Sequence, residues 1–331
     1  MAEFDLIEQY FNFHYDFSSN SADKKGQPSV VKGIGDDCAI FNIPDKFQLV
    51  TSTDTLVSDV HFFSNLQPEL IAYKALAVNV SDLAAMGAKP LAFTLSITLP
   101  EVSERWLSDF SKGLKSASEK FQIPLVGGDT TQGPLTINIT AYGTVKQSRL
   151  LRRDKAQVGD DIWVTGYLGE AAAALDLSEK ALGGRDELTE AENNLWQSLA
   201  TPKPPVKFAT KLAKFAECGL DISDGLMADL GHILKQSQCG ANLDVEFLPL
   251  SDSLVEVVGI EQARQFALNG GDDYQLCFTA KSQHRNKILN LGERYKVNTT
   301  RVGKVTEGDL IVQLEGEAFQ PTRASWQHFN Q

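Results

Sequence analysis

The spacing of apolar residues predicts the elements of the first half of the chain. Apolar side chains that recur every three or four positions indicate amphipathic helices, and alternating or continuous apolar runs indicate strands. This pattern predicts helices at 3–17, 69–88 and 103–121, and strands at 37–43, 47–52, 91–99, 124–129 and 135–145. Gly87 and Pro90 close the second helix. Helices and strands that alternate in this way indicate an α/β or α+β domain.

A second domain is predicted to begin near residue 148. The stretch "KAQVGDDIWVTG", residues 155–166, leads from a polar turn into a new buried strand. Further along, the pattern predicts helices at 168–178, 187–199, 205–217 and 226–236, and strands at 241–247, 274–279 and 299–305. A chain of 331 residues is long enough for two cores. We therefore predict domains at 1–147 and 148–331.

Composition narrows the function classes. The net charge of −12 argues against nucleic-acid binding, which needs a basic face. No apolar run approaches the ~20 residues that span a bilayer, and the start "MAEFDLIEQYF" has no basic segment typical of a signal peptide. The four cysteines are scattered and form no CxxC pair. We expect reduced thiols, a cytoplasmic location, no membrane partner and no nucleic-acid partner.

Aspartates recur where strands or helices begin and end. They lie in "GIGDDCAIF", "STDTLV", "VSDLAAMGA", "VGGDTT", "DISDGL" and "NGGDDYQL". Each alone is compatible with turn chemistry, and Asp82 after Ser81 is compatible with a helix cap. As a group they favour hard cations, because carboxylate oxygens suit Mg²⁺. Mg²⁺ usually binds through a few carboxylates together with substrate phosphates, so the set indicates several ions and a phosphate chain.

The usual nucleotide signatures are missing. The chain has no GxxxxGK[ST] loop, and no HRD, DFG or GxSxG motif. The stretch "GYLGEAAAAL", residues 166–175, places glycines before a helix and is an alternative phosphate cradle, although many helices begin in this way.

Taken in order, these motifs resemble those of the thiamine-monophosphate kinases. This family belongs to the ATP-dependent superfamily of aminoimidazole ribonucleotide synthetase and selenophosphate synthetase. The resemblance runs over nearly the whole chain, through "GIGDDCAIF", "STDTLVSDVHF", "KALAVNVSDLAAMGAKP", "GGDTT", "LLRRDKAQVGD", "DISDGLMADLGHI", "GGDDYQLCF" and "WQHF". It implies a two-domain aminoimidazole ribonucleotide synthetase-like fold, an N-terminal α/β domain that forms a barrel across a homodimer, and a C-terminal α/β domain that completes the active site.

The resemblance also implies roles for individual residues. The magnesium ligands are Asp37, Asp54, Asp82, Asp129, Asp221 and Asp224, with Ser52 and Thr53 as additional oxygen ligands. The ATP contacts are Gly128, Asp129, Arg153 and Ser223. The thiamine-phosphate contacts are His61, Asp272 and Trp326. The alternatives are a solvated charge for Arg153, a structural histidine for His61 and tail packing for Trp326.

The chain departs from the family pattern at one substrate position. The family usually has Gly-Gly-Glu-Asp-Tyr-Glu-Leu where this chain has "GGDDYQL". Asp272 is one methylene shorter than glutamate, so a direct contact and a contact through water both stay open.

The resemblance implies ATP-dependent phosphorylation of thiamine monophosphate to thiamine diphosphate by in-line, Mg²⁺-assisted transfer. The second pKa of a phosphate monoester is about 6, so we expect no side chain to act as an essential general base. The alternatives are another enzyme of the superfamily or a non-catalytic, acidic protein that binds divalent cations. Selenophosphate synthetase needs a reactive residue near the N-terminus, where this chain has no cysteine before Cys38, and the hydrogenase-maturation relative needs a C-terminal cysteine, where it reads "WQHFNQ".

Overall fold

The protein forms two compact units. A computed structural model describes residues 3–15, 26–35, 37–183 and 188–322. The first unit comprises 1–83 with 88–148, and the second comprises 84–87 with 149–331. No helix in these described ranges is both long and apolar enough to cross a membrane. The division at 147/148 stays a prediction about independently folding domains.

The first unit is built around a four-stranded sheet and two long helices. Its elements are α1 (Glu3–Leu6), extended by a π-helical turn (Ile7–Phe11), β1 (Ser29–Lys32), β2 (Ile40–Asn42), β3 (Phe47–Val57), α2 (Pro68–Ala85), β4 (Lys89–Leu99), α3 (Glu104–Phe121), β5 (Leu125–Gln132) and β6 (Thr136–Lys146). Strands β1 and β2 form a separate antiparallel pair. The side chain of Ser103 caps α3 by accepting the backbone N–H of Trp106.

The two faces of the four-stranded sheet differ in polarity. The strand order is β3-β6-β4-β5, and only the β4–β5 pair is parallel. Alternate residues of β4 and β6, such as Leu95 and Ile139, are buried on one face. The residues between them, such as Ser96 and Asn138, are polar and lie on the opposite face, which is more exposed.

The second unit contains a seven-stranded sheet with helices on both sides. Its strands are β7 (Asp161–Thr165), β8 (Cys218–Ile222), β9 (Gly240–Asp244), β10 (Gln275–Ala280), β11 (Thr299–Thr306), β12 (Leu310–Leu314) and β13 (Glu317–Ala318). Its helices are α4 (Glu170–Leu175), α5 (Ser178–Gly183), α6 (Glu190–Ala200), α7 (Val206–Leu212), α8 (Leu226–Ser237), α9 (Asp252–Val258), α10 (Ile260–Asn269) and α11 (Arg285–Tyr295). The strand order is β13-β12-β9-β11-β7-β10-β8.

Both faces of this sheet are buried at strands β7, β10 and β8. Strands β7 and β8 have no exposed residue. Ile162 and Val164 pack in one core with residues of α8 and α10, and Trp163 packs in the other with residues of α7 and α11. A strand that is buried on both sides reads as a continuous apolar run, as "IWV" does. The α/β two-domain fold expected from the sequence is confirmed.

An ion pair that is buried at its Asp161 end joins β7 to α11. Asp161 is fully buried, and the guanidinium of Arg285 donates to both of its carboxylate oxygens at 2.6 and 2.5 Å. We expect Asp161→Asn to lower the free energy of unfolding by about 1–3 kcal/mol, because two charge-assisted hydrogen bonds are weakened. Urea denaturation measures this loss. Asp154→Asn, which breaks the exposed pair with Arg152, is the control and should cost less. Equal losses in the two variants would contradict a special role for burial.

Candidate active site

Two carboxylates and a hydroxyl meet beside strand β3. Ser52 and Asp54 are two residues apart and therefore lie on the same face of the strand. The Ser52 hydroxyl donates a hydrogen bond to the carboxylate of Asp82 on α2. Burial, the negative charge of Asp82 and a hydrogen bond with Asp82 raise the pKa of Asp54 to about 7. The site therefore disfavours two negative charges side by side, which is a position that would suit a cation.

This donor set fits magnesium. It consists only of carboxylate and hydroxyl oxygens, which are the donors that Mg²⁺ prefers. Among the residues that the structure describes, no group of three or more His, Cys, Asp or Glu side chains is arranged to hold a metal ion alone. Two carboxylates with a hydroxyl leave positions for water and phosphate oxygens, which is how Mg²⁺ commonly binds.

Thr53 and Asp129 lie on the other face of the sheet. The hydroxyl of Thr53 is hydrogen-bonded to that of Thr140 at 2.7 Å, away from Asp54. Asp129 on β5 pairs with Ser96 and is exposed. The structure thus brings together Ser52, Asp54 and Asp82, and it does not bring Thr53 or Asp129 to them.

Backbone pairing gives the distance between the two groups of ligands. One row crosses the sheet from Asp54 through Ile139 and Leu95 to Gly128, the neighbour of Asp129. Three inter-strand steps amount to about 14 Å. Gly128 itself has no room for a side chain, because a Cβ there would lie 1.8 Å from the carbonyl oxygen of Leu95. The absence of a side chain at Gly128 thus lets β5 lie against β4 next to Asp129, the other predicted nucleotide contact of this strand.

His61 is held in one tautomer by the turn after β3. Its Nδ1 accepts a hydrogen bond from the backbone N–H of Val57 at 3.1 Å. The neutral ring therefore carries its proton on Nε2, which is a donor. Asp37, the remaining predicted ligand of this unit, is exposed in the loop between β1 and β2.

In the second unit, a buried carboxylate organises the loop between β8 and α8. Asp221 is 4% exposed near the end of β8, and Ser223 and Asp224 follow it. Asp229 accepts the backbone N–H groups of both Ser223 and Asp224 at 3.0 Å. Burial raises the pKa of Asp229 to about 6, although these hydrogen bonds and the charge of Arg153 oppose the rise. Asp229 was not predicted as a site residue, although it stands inside the motif "DISDGLMADLGHI" and is an acidic residue in the first turn of a helix.

The two neighbouring arginines have different surroundings. Arg152 forms two hydrogen bonds with the carboxylate of Asp154, at 2.8 and 2.6 Å. Arg153 instead has an exposed side chain whose charge acts on Asp229, and its carbonyl accepts the hydroxyl of Ser237. The predicted nucleotide contacts Arg153 and Ser223 therefore belong to one neighbourhood.

Asp272 lies in a loop that contacts the Ser223 loop directly. Its backbone N–H donates to the carbonyl of Ser223 at 2.9 Å, and its carboxylate accepts the hydroxyl of Tyr274 at 2.9 Å. Trp326, the third predicted substrate contact, lies outside the described residues. Tyr274 was not singled out from the sequence, although it stands inside the quoted motif.

The glycine-rich stretch before α4 has a structural partner. The backbone N–H of Gly169 donates to both carboxylate oxygens of Asp273 at 3.0 Å. The amide that would face a phosphate in the alternative reading of this stretch is therefore already bound to a carboxylate.

Comparisons with known proteins agree on one family. Residues 35–145 match the AIR synthase related protein, N-terminal domain, and residues 157–315 match the AIR synthase related protein, C-terminal domain. A thiamine-monophosphate kinase from Haemophilus influenzae is 41% identical over 307 residues, which cover 93% of this chain and 90% of that protein.

Solved structures give the same grouping. A crystal structure of thiamine-monophosphate kinase from Stenotrophomonas maltophilia has a TM-score of 0.82 and 43% identity, and covers 91% of this chain and 94% of the other. A structure of AaThiL complexed with AMPPCP and TMP has a TM-score of 0.76 and 32% identity, and covers 86% and 88% respectively.

Proposed function

The chain belongs to the thiamine-monophosphate kinases within the AIR synthase-related family, and on this premise we propose that it transfers the terminal phosphate of ATP to thiamine monophosphate. The product is thiamine diphosphate. The observation that carries the proposal is the cluster of Ser52, Asp54 and Asp82, in which a hydroxyl and two neighbouring carboxyl groups lie where a cation would fit. AMPPCP and TMP, the ligands of the solved relative, are a nucleotide analogue and the proposed acceptor.

The chemistry needs charge stabilisation more than proton transfer. The acceptor oxygen of a phosphate monoester is largely deprotonated at neutral pH, since its second pKa is about 6. Bound Mg²⁺ supplies positive charge between the two anionic phosphates and aligns them. Ser52, Asp54 and Asp82 would hold one such ion, and Asp37, Thr53, Asp129, Asp221 and Asp224 would provide the other metal ligands. No side chain is required as a general base.

The nucleotide is bound by backbone and cationic groups. Arg153 provides a planar guanidinium, which can donate two parallel hydrogen bonds to a phosphate. Gly128 allows backbone approach, Asp129 acts through its metal, and Ser223 contacts the nucleotide from a loop whose amides are fixed by Asp229. The exposure of Arg153, in contrast to the pairing of Arg152, supports this assignment.

The acceptor is recognised by His61, Asp272 and Trp326. The Nε2–H of His61 donates to the acceptor phosphate, the carboxylate of Asp272 contacts the heterocyclic part, and Trp326 stacks on the cationic thiazolium. These roles rest on motif position together with the tautomer fixed by Val57.

His61→Asn separates binding from catalysis. The asparagine side chain can still accept the N–H of Val57, as Nδ1 does, but it lacks the Nε2–H donor. We expect the KM for thiamine monophosphate to rise by about three- to tenfold while kcat changes little, because one hydrogen bond to the ligand is lost. Steady-state kinetics measure both constants. Loss of kcat that added imidazole restores would instead require a histidine base.

The chain also acts as a homodimer. Asp54 and Asp129 lie at opposite edges of one sheet, about 14 Å apart and on different faces. A closed barrel made from two such sheets would bring the β5 edge of one copy to the β3 edge of the other. Each junction would then join the strand that carries Asp54 in one copy to the strand that carries Asp129 in the other, with the two side chains on opposite faces of the joined sheet.

The reaction takes place in the cytoplasm. Free cysteines at positions 38, 218, 239 and 277 support a reducing compartment.

A product assay tests the function. Purified protein with ATP and Mg²⁺ is offered thiamine monophosphate, thiamine and pyridoxal as separate acceptors, and products are separated by chromatography. Only thiamine monophosphate is expected to be consumed, with one ADP formed per thiamine diphosphate. Metal binding without ATP consumption would favour a cation-binding protein, and turnover of another acceptor would assign the chain a different substrate.

A further inference from the structure

The loop from Gly270 to Tyr274 is fixed to the end of β8. The N–H of Asp272 donates to the carbonyl of Ser223 at 2.9 Å, and the N–H of Tyr274 donates to the carbonyl of Ile222 at 2.8 Å. Gly271 approaches the same segment so closely that a Cβ would lie 2.4 Å from the Ser223 oxygen. These contacts therefore fix the backbone conformation of the loop that carries Asp272.

Two left-handed residues turn this loop. Asp272 has φ of 67° and Tyr274 has φ of 49°, a conformation that is uncommon for an aromatic residue. Such strain persists where the surrounding structure determines the backbone, and it often accompanies functional sites. The result is that the side chains two positions apart meet, and the Tyr274 hydroxyl donates to Oδ1 of Asp272 at 2.9 Å.

Asp273, which lies between these two residues, attaches the loop to the chain before α4. Asp273 is 8% exposed, and its two carboxylate oxygens accept the N–H of Gly169. Burial raises the pKa of the Asp273 carboxyl well above its usual range. Asp273 thus attaches the loop to Gly169 on its buried side, whereas Asp272 and Tyr274 remain partly exposed.

From this geometry we propose that Tyr274 is a positioning residue for thiamine-phosphate recognition, which fixes the carboxylate of Asp272 through its phenolic hydroxyl. The inference deepens the proposed function and rests on it. A shorter side chain than the family's usual glutamate reaches less far, so the direction in which its carboxylate points matters more for binding.

A purely structural role for Tyr274 makes different predictions. If the hydroxyl only supported the loop, its removal would lower thermal stability and weaken ATP and acceptor equally, because Ser223 lies under the same loop. If it acts through Asp272, the effect is confined to the acceptor and disappears once the carboxylate is gone.

A double-mutant cycle in the full-length protein tests the proposal. Tyr274→Phe keeps the ring and should raise the KM for thiamine monophosphate by about three- to tenfold, with kcat, the KM for ATP and Tm nearly unchanged. In the Asp272→Ala background, which removes the acceptor oxygen altogether, the same change should have no further effect. Tyr295→Phe, a half-buried tyrosine of α11, is the matched control.

The outcomes distinguish a failure of the proposed function from a failure of this inference. Wild-type protein that does not phosphorylate thiamine monophosphate overturns the proposed function and this inference with it. Active wild-type protein in which Tyr274→Phe raises KM equally with and without Asp272 overturns only the inference. The same holds if Tyr274→Phe leaves the KM for thiamine monophosphate unchanged, or if it lowers Tm and raises the KM for ATP to the same extent.

Discussion

Asp54→Asn is expected to lower kcat by roughly 10²–10³-fold while the protein stays folded, because removing one group that stabilises transition-state charge has an effect of this size. Asn keeps the shape of the side chain but deletes the charge from a pair of carboxylates. The metal-free variant should be at least as stable as wild type at pH 8, since the buried charge is gone. Loss of activity without loss of stability is the signature of a ligand.

Two measurements complete this test. Steady-state kinetics with saturating ATP, Mg²⁺ and thiamine monophosphate give kcat, and thermal unfolding gives stability. Asp109→Asn on α3 is the matched control, because that carboxylate pairs with Lys112 at the surface. Near-full turnover of Asp54→Asn would remove Asp54 from the metal ligands.

Stabilisation by Mg²⁺ should grow steeply between pH 5.5 and pH 8. The pKa of Asp54 is about 7 in the folded chain and 3.8 as the reference value, so the folded state holds the extra proton between these values. The contribution of Asp54 to the stability of the metal-free protein therefore falls as pH rises from about 4 to 7, by about 2–4 kcal/mol. A divalent cation replaces that proton, so its effect is small at pH 5.5 and largest at pH 8.

Calorimetry in EDTA and in Mg²⁺ at constant ionic strength measures the difference at each pH. Titration near pH 7 should also show proton release when Mg²⁺ binds. Asp54→Asn should abolish the pH dependence of the stabilisation by Mg²⁺, and Asp109→Asn should preserve it. A Mg²⁺ effect that is equal at pH 5.5 and pH 8 would contradict competition between the proton and the metal at this site.

Local signals in the sequence predict part of the fold. Helix α3 has a capping serine and a regular apolar stripe, and the structure begins it after Ser103 as expected. The strand predicted at 37–43 is shorter in the structure and covers Ile40–Asn42, because the chain bends at Asp37 and Cys38. The predicted helix at 3–17 ends at Phe11, after a π-helical turn.

Other elements depend on tertiary contacts. Strand β8 has only five residues and ends in a turn motif, so its apolar pattern is too short to predict a strand. It pairs with β10, and all five of its residues are buried. Helices α9, α10 and α11 were not predicted, and each has two or more exposed residues that interrupt its apolar pattern. Their stability comes from packing one face against neighbouring helices or strands, which local propensity does not report.

The candidate site divides in the same way. Residue types and motif order predicted Asp54, Asp82 and Ser52 as ligands, and these three meet in the structure. Asp229 and Tyr274 act by binding backbone amides or another side chain, and such roles arise from folding and have no signature at the level of residue type.

The separation of Asp54 and Asp129 across one sheet has a genetic consequence. If each site takes Asp54 from one copy and Asp129 from another, two inactive variants can complement each other. Asp54→Asn and Asp129→Asn chains, co-expressed with different tags, would form heterodimers with one fully intact and one doubly defective site. Such heterodimers should recover about half of the wild-type rate, as two-fold symmetry requires. Inactive heterodimers would place both aspartates in the site of a single chain.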